Sequence, residues 1–294
     1  MRTLFLACVS ALTLCAVTPA YAADEAETIV EAITKGKTNL SFRYRLENVD
    51  QTGFTDDATA STLRTKLKYS TKVFKGFSGV LEFDNVLQIG DGNYNSTVNG
   101  KSQYPVIADP KVTEVNQAYI AFTGIDKTTL VAGRIALNLN NQRMVGTVGW
   151  RQNDQTWDMI GIITKPTEDL TFTGGYVWNV NRIFGDDHPF GDLDTNTFIA
   201  NLDYTGFELG KLTAYGLFID LNDAPVYGLS SQTLGVRFAG KHKLSDGGMT
   251  ALYEAEFATQ SDYKDSPLDY SAQYYHLSAG LSASGFTGKV GYEV

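Results

Sequence analysis

The most constraining feature of the sequence is an alternation of apolar and polar residues in two neighbouring runs between residues 40 and 73. The first run alternates Leu40, Phe42, Tyr44 and Leu46 with Ser41, Arg43, Arg45 and Glu47. The second alternates Leu63, Thr65, Leu67, Tyr69, Thr71 and Val73 with Arg64, Lys66, Lys68, Ser70 and Lys72. Side chains alternate faces along a β-strand, so each run predicts a strand with one apolar and one charged face. A helix is excluded, because a period of two would scatter the charges around it.

The charges decide which face meets which solvent. In a bilayer, each Lys or Arg on the lipid side at mid-depth costs roughly 2–4 kcal/mol. The basic residues of the second run are therefore expected to face an aqueous interior. The pattern predicts a sheet that is polar inside and apolar outside, the reverse of a soluble protein.

The first 22 residues predict export. Met1-Arg2 is a positive start, residues 3–18 are mostly apolar, and Ala20-Tyr21-Ala22 is a small-x-small cleavage site, as in a Sec signal peptide cut before Ala23. Both cysteines, Cys8 and Cys15, fall inside this segment, so the processed chain is expected to use no disulfide or thiol chemistry.

The charge balance argues against one class of partner. With Arg2 removed, 33 acidic and 23 basic residues remain, a net charge of −10. A nucleic-acid partner would require a basic surface, so we expect none. No later run reaches 18 apolar residues, which predicts no helical membrane span.

Residues 23–37 predict one short periplasmic helix, with Asp24 as its N-cap and Ala26, Ile29, Val30 and Ile33 as its apolar stripe. Two interpretations stay open. The helix plugs the entrance of a barrel, or it packs beneath the barrel rim.

Residues 38–294 predict a transmembrane antiparallel up-and-down β-barrel. Thirteen strands are expected at 39–49, 61–73, 77–89, 114–123, 129–138, 155–164, 170–182, 196–205, 211–220, 231–241, 248–258, 271–283 and 286–294. The phase of 129–138 and 211–220 is ambiguous. Long and short connections alternate throughout, which is typical of outer-membrane barrels with short periplasmic turns and long external loops. Closed bacterial barrels normally have an even strand number, so we expect the chain to be a fragment that lacks closing strands.

Several segments resemble alginate-export-type outer-membrane porins. They are Asn138–Asp158 (NLNNQRMVGTVGWRQNDQTWD), Ser61–Thr65, Tyr104–Pro110, Glu114–Tyr119 and Gly133-Arg134. Together they cover most of residues 38–190. The resemblance implies a monomeric barrel of about eighteen strands that passes solutes or polysaccharide. Only one branch of that family is tied to alginate, so the resemblance implies a pore and leaves the cargo open.

The face assignment predicts a charged pore lining. Its expected members are Arg43, Arg45, Arg64, Lys66, Lys68, Lys72, Glu82, Asp84, Arg134, Asp158, Arg237, Lys241, Glu254 and Glu256. Basic residues cluster on the first two strands, which predicts a modest anion preference. The alternative is mutual neutralisation, because Glu254 and Glu256 lie one strand from Arg237 and Lys241.

Two loops hold further candidate residues. If loop 139–154 folds inward, Arg143, Trp150 and Arg151 would form a constriction suited to carboxylates. Alternatively, its amide residues build a compact external turn. In loop 183–195, the carboxylates of Asp186, Asp187, Asp192 and Asp194 are hard oxygen ligands for calcium. The alternative is an exposed acidic loop bridged to lipopolysaccharide phosphates by divalent ions.

Enzymatic chemistry has little support in the sequence. No histidine has a serine and an acid nearby in a triad pattern. Glu254 and Glu256 share a strand face at a spacing of about 7 Å, which a glycosidase could use. Acidic pore lining is the commoner explanation.

We therefore expect an outer-membrane porin of a Gram-negative bacterium without catalytic residues, metal or cofactor. Its expected partners are outer-membrane lipid and lipopolysaccharide, with small anionic solutes or uronate polysaccharide as cargo. Two alternatives stay open: a barrel enzyme, and a plugged surface adhesion barrel.

Overall fold

The computed structural model describes residues 25–222, 225–244 and 248–294. The predicted signal peptide and Asp24 lie outside these residues. Thirteen strands form one antiparallel sheet in which each strand pairs with the next along the chain, and β1 and β13 are its edges. The strands are β1 Lys37–Val49, β2 Ala58–Ser70, β3 Phe77–Asn93, β4 Val112–Ile125, β5 Thr128–Ile135, β6 Thr156–Thr164, β7 Leu170–Asn181, β8 Asp192–Phe207, β9 Gly210–Ile219, β10 Ser231–Lys243, β11 Thr250–Asp262, β12 Ser271–Ala283 and β13 Phe286–Glu293. The predicted all-β, up-and-down architecture is confirmed.

The connections keep the predicted rhythm. Those after β1, β3, β5, β7, β9 and β11 are the longer ones, and residues 136–155 between β5 and β6 are the longest. One of them contains a 3₁₀ turn at Val226–Leu229. Those after the even-numbered strands are short, so one end of the sheet carries the long connections and the other the short ones.

The helix α1 is shorter than predicted. It spans Ile29–Thr34, and Thr28 is its N-cap, because the Thr28 side chain accepts a hydrogen bond from the Glu31 backbone. The residues before it are tied to the sheet instead of coiling, since the Ala26 amide donates to the Val73 carbonyl at 2.8 Å. No helix in the described part of the chain is long and apolar enough to cross a membrane.

The two faces of the sheet differ in chemistry. On β1, Leu40, Phe42, Tyr44 and Leu46 are 55–65% exposed and point to one side, which we call the outer face. The alternating positions, including Arg43 and Arg45, point to the other side, which we call the inner face. The register carries this arrangement across the sheet, because Arg43 pairs with Arg64 and Phe42 with Thr65.

Residues 136–155, which we call the inner loop, lie against the inner face. Val145 of this loop is 3% exposed and belongs to a core with Ile135, Trp157, Met159 and Val177 of the sheet. The loop also reaches both edges: Arg43 of β1 donates to Gln152 at 3.0 Å, and Arg143 lies 2.6 Å from Glu293 of β13. Since one loop contacts both edge strands, the sheet curves around it and the inner face is concave.

Candidate functional site

Arginines of β1 hold the inner loop by its backbone. Arg43 donates to the Gly149 carbonyl at 2.8 Å and to the Arg151 carbonyl, and Arg45 donates to the Trp150 carbonyl. Three consecutive carbonyls thus each receive a guanidinium donor. Charge-assisted hydrogen bonds are about twice as strong as neutral ones, so this segment of the loop is firmly fixed along β1.

Gln152 anchors the next position of the loop. Its side-chain amide is fully buried and donates to the Thr62 hydroxyl of β2 at 2.8 Å. Its backbone N–H donates to the Asp109 carboxylate at 2.9 Å. Asp109 is also fully buried and lies 3.6 Å from Arg45 and 3.7 Å from Arg151. The connection after β3 therefore supports the inner loop from the long-connection side.

Lys66 of β2 forms a largely buried ion pair with the loop. Its Nζ lies 2.6 Å from Asp154, 3.3 Å from Glu82 and 3.4 Å from Asp84. Burial works to raise the pKa of Asp154, but the charge of Lys66, its hydrogen bond and the charge of Arg64 outweigh it and hold the pKa below its ordinary value. Asp154 is therefore ionised at neutral pH and locks the C-terminal end of the loop to β2.

The other end of the inner loop meets an acidic group on β11. Asn141 donates to Glu254 at 3.0 Å and to Glu256 at 2.9 Å. Arg237 lies 2.8 Å from Glu254 and 3.7 Å from Glu256, and the Tyr215 hydroxyl donates to Glu256 at 2.7 Å. The loop is thus held at both ends, and the mutual neutralisation considered from the sequence is present for Arg237.

Trp150 is a large side chain of the inner loop that stays exposed next to the contacts with Arg43 and Arg45. It is 59% exposed although its backbone is fixed. The Arg151 guanidinium carbon lies 4.1 Å from the ring centroid and that of Arg45 5.6 Å away. Arg143 is half-exposed at the opposite end of the loop. Of the three residues predicted for a constriction, Trp150 and Arg143 are accessible, whereas Arg151 is buried by Glu47 and Asp109.

Most of the predicted lining residues lie on the inner face. The members so placed are Arg43, Arg45, Arg64, Lys66, Lys68, Glu82, Asp84, Arg237, Lys241, Glu254 and Glu256. Many are not free to meet a solute, because they pair with one another or with the inner loop. Glu82 is 3% exposed, Asp84 is fully buried and Glu256 is 5% exposed. Lys241 is exposed.

The prediction for Arg134 and Asp158 is wrong. These residues pair across β5 and β6, and the Arg134 Nε lies 2.8 Å from Asp158. Their sequence neighbours Ile135, Trp157 and Met159 belong to the core under the inner loop. Because neighbouring side chains point to opposite faces, Arg134 and Asp158 lie on the outer face, at its long-connection end.

Lys72 also differs from the prediction. β2 ends at Ser70, so Lys72 lies in the short connection that follows. Its ammonium lies 3.5 Å from Glu31, and its amide donates to the Ala32 carbonyl at 3.0 Å. Lys72 therefore holds helix α1 instead of continuing the charged row of β2.

The four aspartates proposed as calcium ligands do not converge. Among the described residues, the group of three or more His, Cys, Asp or Glu with ligand atoms within 4.8 Å is Glu254, Glu256 and His276. The Arg237 guanidinium already compensates these carboxylates. Asp186 and Asp187 lie exposed in the connection before β8, while Asp192 and Asp194 belong to β8 itself.

Residues that sequence reasoning did not single out hold the site together: Thr62, Asp109, Asn116, Gln152 and Asp154. Asn116 donates to Glu82 at 2.7 Å and to Asp154 at 3.2 Å. All five lie inside the segments that carry the family resemblance, and these segments converge on the inner loop. The available signal was therefore the co-occurrence of those segments, which periodicity alone does not reveal.

Comparison with known proteins gives structural matches. No protein-family model matches the sequence, and no curated protein matches it. OccD3 (OpdP) of Pseudomonas aeruginosa superposes with a TM-score of 0.64 at 13% identity, over 90% of this chain and 58% of that one. OccAB3 of Acinetobacter baumannii gives 0.69 at 17% identity, over 89% and 67%. The outer membrane protein opdK of Pseudomonas aeruginosa gives 0.63 at 13% identity, over 88% and 66%.

These identities define the fold alone, and the chain spans less than two thirds of the length of OccD3 and opdK. The resemblance to alginate-export-type porins stays a prediction. What the structures share with this chain is its sheet of antiparallel strands. The chain has the fold of the β-barrel porins of Gram-negative outer membranes.

Proposed function

We propose that the chain forms the wall and constriction of an outer-membrane channel for passive diffusion of small hydrophilic solutes. The observation that carries the proposal is the inner loop, which crosses a charged concave face and is fixed at both ends. A loop held in this way narrows the water-filled space inside the concave face, and its fixed ends keep it from moving to open or close that space. The mechanism needs no covalent step, because solutes move down their own gradients.

The outer face supports a membrane location. Large apolar side chains are exposed there on nine of the thirteen strands: Leu67, Phe83, Ile120, Ile160, Phe198, Leu234, Phe257, Leu277 and Val290. A contiguous apolar surface of this size is unfavourable in water and matches the hydrocarbon of a bilayer. The buried ion pairs of the inner face would in turn be too costly against lipid.

We further propose a modest preference for anions. The carboxylates of the inner face are mostly buried in ion pairs, as Glu82, Asp84 and Glu256 show. Lys241 and Lys289 are exposed on the same face and have no carboxylate within 4.0 Å among the residues that the structure describes. The charge accessible to a solute is thus predominantly positive, and a charged lumen concentrates ions of opposite sign.

The test is single-channel recording of the full-length protein in a planar bilayer under a salt gradient. We expect stepwise currents and a reversal potential whose sign shows that anions permeate more readily than cations. Addition of acetate, an aliphatic dicarboxylate and a uronate oligomer to one side then ranks the solutes by current block. A cation-selective reversal potential would refute the anion preference while leaving the channel intact.

The second candidate is a plugged structural barrel. The apolar core that Val145, Leu137 and Met144 form against the sheet favours it, because that part of the inner face is filled with side chains. A protein that inserts into the bilayer but passes no current, even after removal of Trp150, would support this alternative.

A further inference from the structure

Helix α1 presents its apolar side away from the protein. Ile29, Val30 and Ile33 are 60%, 65% and 55% exposed, whereas Ala32 is 4% exposed. In a helix of 3.6 residues per turn, these three residues form one stripe. The stripe is therefore not the side by which the helix contacts the short-connection end of the sheet.

The orientation of the stripe is fixed by contacts on the other side of the helix. Glu31 lies 3.5 Å from Lys72, and the Ala32 carbonyl accepts from the Lys72 amide at 3.0 Å. Just before the helix, the Glu25 carboxylate accepts from the Gly76 amide at 3.2 Å. These bonds tie α1 to the connection between β2 and β3, so the stripe cannot turn inward without breaking them.

The stripe adjoins the outer face of the sheet. The Tyr69 hydroxyl donates to the Ile33 carbonyl, and Tyr69 alternates with the inward-facing Lys68 on β2. A Cβ on Gly36 would clash with the Tyr69 hydroxyl, so glycine permits the close approach of the chain after the helix. The apolar stripe therefore continues the apolar surface at the short-connection end.

A groove of about 420 Å³ lies on the outer face beside this point. Its walls include Tyr69, Leu81 and Ile120, and its floor includes the small residues Gly79 and Ala118. Its lining is mostly apolar, and the groove lies where small side chains stand next to large ones. A hydrocarbon chain fits this chemistry better than a polar solute does.

We propose that α1 is an interfacial anchor, whose stripe lies in the headgroup–acyl boundary of the leaflet at the short-connection end of the sheet. This inference rests on the proposed membrane location. In the interface, the apolar side chains of the stripe are removed from water, which is favourable. The hydrogen bonds of the helix to Lys72 and Tyr69 set the depth of the stripe in the bilayer. The helix thereby fixes the height of β1 and β2 relative to the bilayer.

The test uses single cysteines in a background in which Cys8 and Cys15 are replaced by serine, labelled with an environment-sensitive dye in proteoliposomes. Val30→Cys reports on the stripe. Lys35→Cys, at an exposed position just after the helix, is the matched control, and Phe198→Cys reports on the outer face in mid-sheet. Quenching is measured with lipids labelled near the headgroup and deep in the acyl region, and with aqueous iodide.

We expect the dye at position 30 to be quenched by the shallow lipid label, with iodide quenching roughly threefold weaker than at position 35. Iodide quenching that is equal at both positions would overturn the inference. So would protection of position 30 from both lipid and iodide, which would show that protein covers the stripe. If position 198 also escapes lipid quenching, the membrane location itself fails, and this outcome is separate from the others.

Discussion

The ammonium of Lys66 lies 2.6 Å from the carboxylate of Asp154 and joins strand β2 to the inner loop across 88 residues of sequence. Both side chains are largely buried. Because Glu82 and Asp84 also surround Lys66, the loss of one carboxylate leaves the lysine partly compensated. The contact therefore positions the loop more than it supports the whole sheet.

Replacing Asp154 by Asn is expected to loosen the C-terminal end of the inner loop. Removing one partner of a buried ion pair costs roughly 3–5 kcal/mol, and the remaining carboxylates should reduce this to the lower end. We expect a lower thermal midpoint in detergent and noisier single-channel currents. Asp187→Asn, in an exposed connection, is the control and should change neither quantity.

The pH dependence of this contact has a defined sign. The pKa of Asp154 lies below its ordinary value of 3.8, so its contribution to stability is present above that value and is lost as the pH falls through the lowered pKa. The stability difference between the native protein and Asp154→Asn should be constant near neutral pH and shrink only below 3.8. Denaturant unfolding at stepped pH measures it. A difference that already disappears at pH 6 would contradict the assignment.

Trp150 should affect permeation more than it affects stability. Its ring is 59% exposed, and the hydrogen bond that its backbone carbonyl accepts from Arg45 does not depend on the side chain. Trp150→Ala is expected to raise single-channel conductance and to lower the free energy of unfolding by at most about 1 kcal/mol, because the ring's contacts with the Arg151 and Arg45 guanidinium groups are lost. The conductance of Trp150→Phe should lie between those of the native protein and Trp150→Ala. Unchanged conductance in both variants would place the constriction elsewhere.

The exposed lysines of the inner face should set the ion preference. The double substitution Lys241→Glu, Lys289→Glu is expected to shift the reversal potential toward cations, because it reverses accessible charge without breaking an ion pair seen in the described residues. Lys264→Glu, in a long connection, serves as the control. An equal shift in the control would show that the outer loops, and not the inner wall, control selectivity.

The alternation in β1 and β2 was sufficient to predict the strands, their two faces and the fold. Apolar residues on one face and charged residues on the other give the sequence a clear period of two. The same rule failed at β5 and β6. There the inner face is apolar, since Val145 and its neighbours in the inner loop supply apolar partners. Arg134 and Asp158 were therefore assigned to the wrong side: a loop that covers part of the wall reverses the pattern beneath it.

The anchor of the inner loop was not predictable from local patterns. Gln152 contacts Thr62 at a separation of 90 residues and Asp109 at a separation of 43. None of these residues lies in a periodic run that would single it out. Helix α1 was placed correctly but drawn too long, because the bonds of Glu25 and Ala26 to the β2–β3 connection compete with helix formation.

The central claim is that one face of the sheet meets water and the other meets lipid. Ser41 and Phe42 are adjacent exposed residues of β1 that point to opposite faces. Their cysteine variants, in the same cysteine-free background, are exposed in proteoliposomes to a charged maleimide and then to an apolar one. We predict that Ser41→Cys reacts with the charged reagent and Phe42→Cys only with the apolar one. Rapid reaction of both with the charged reagent would contradict the account.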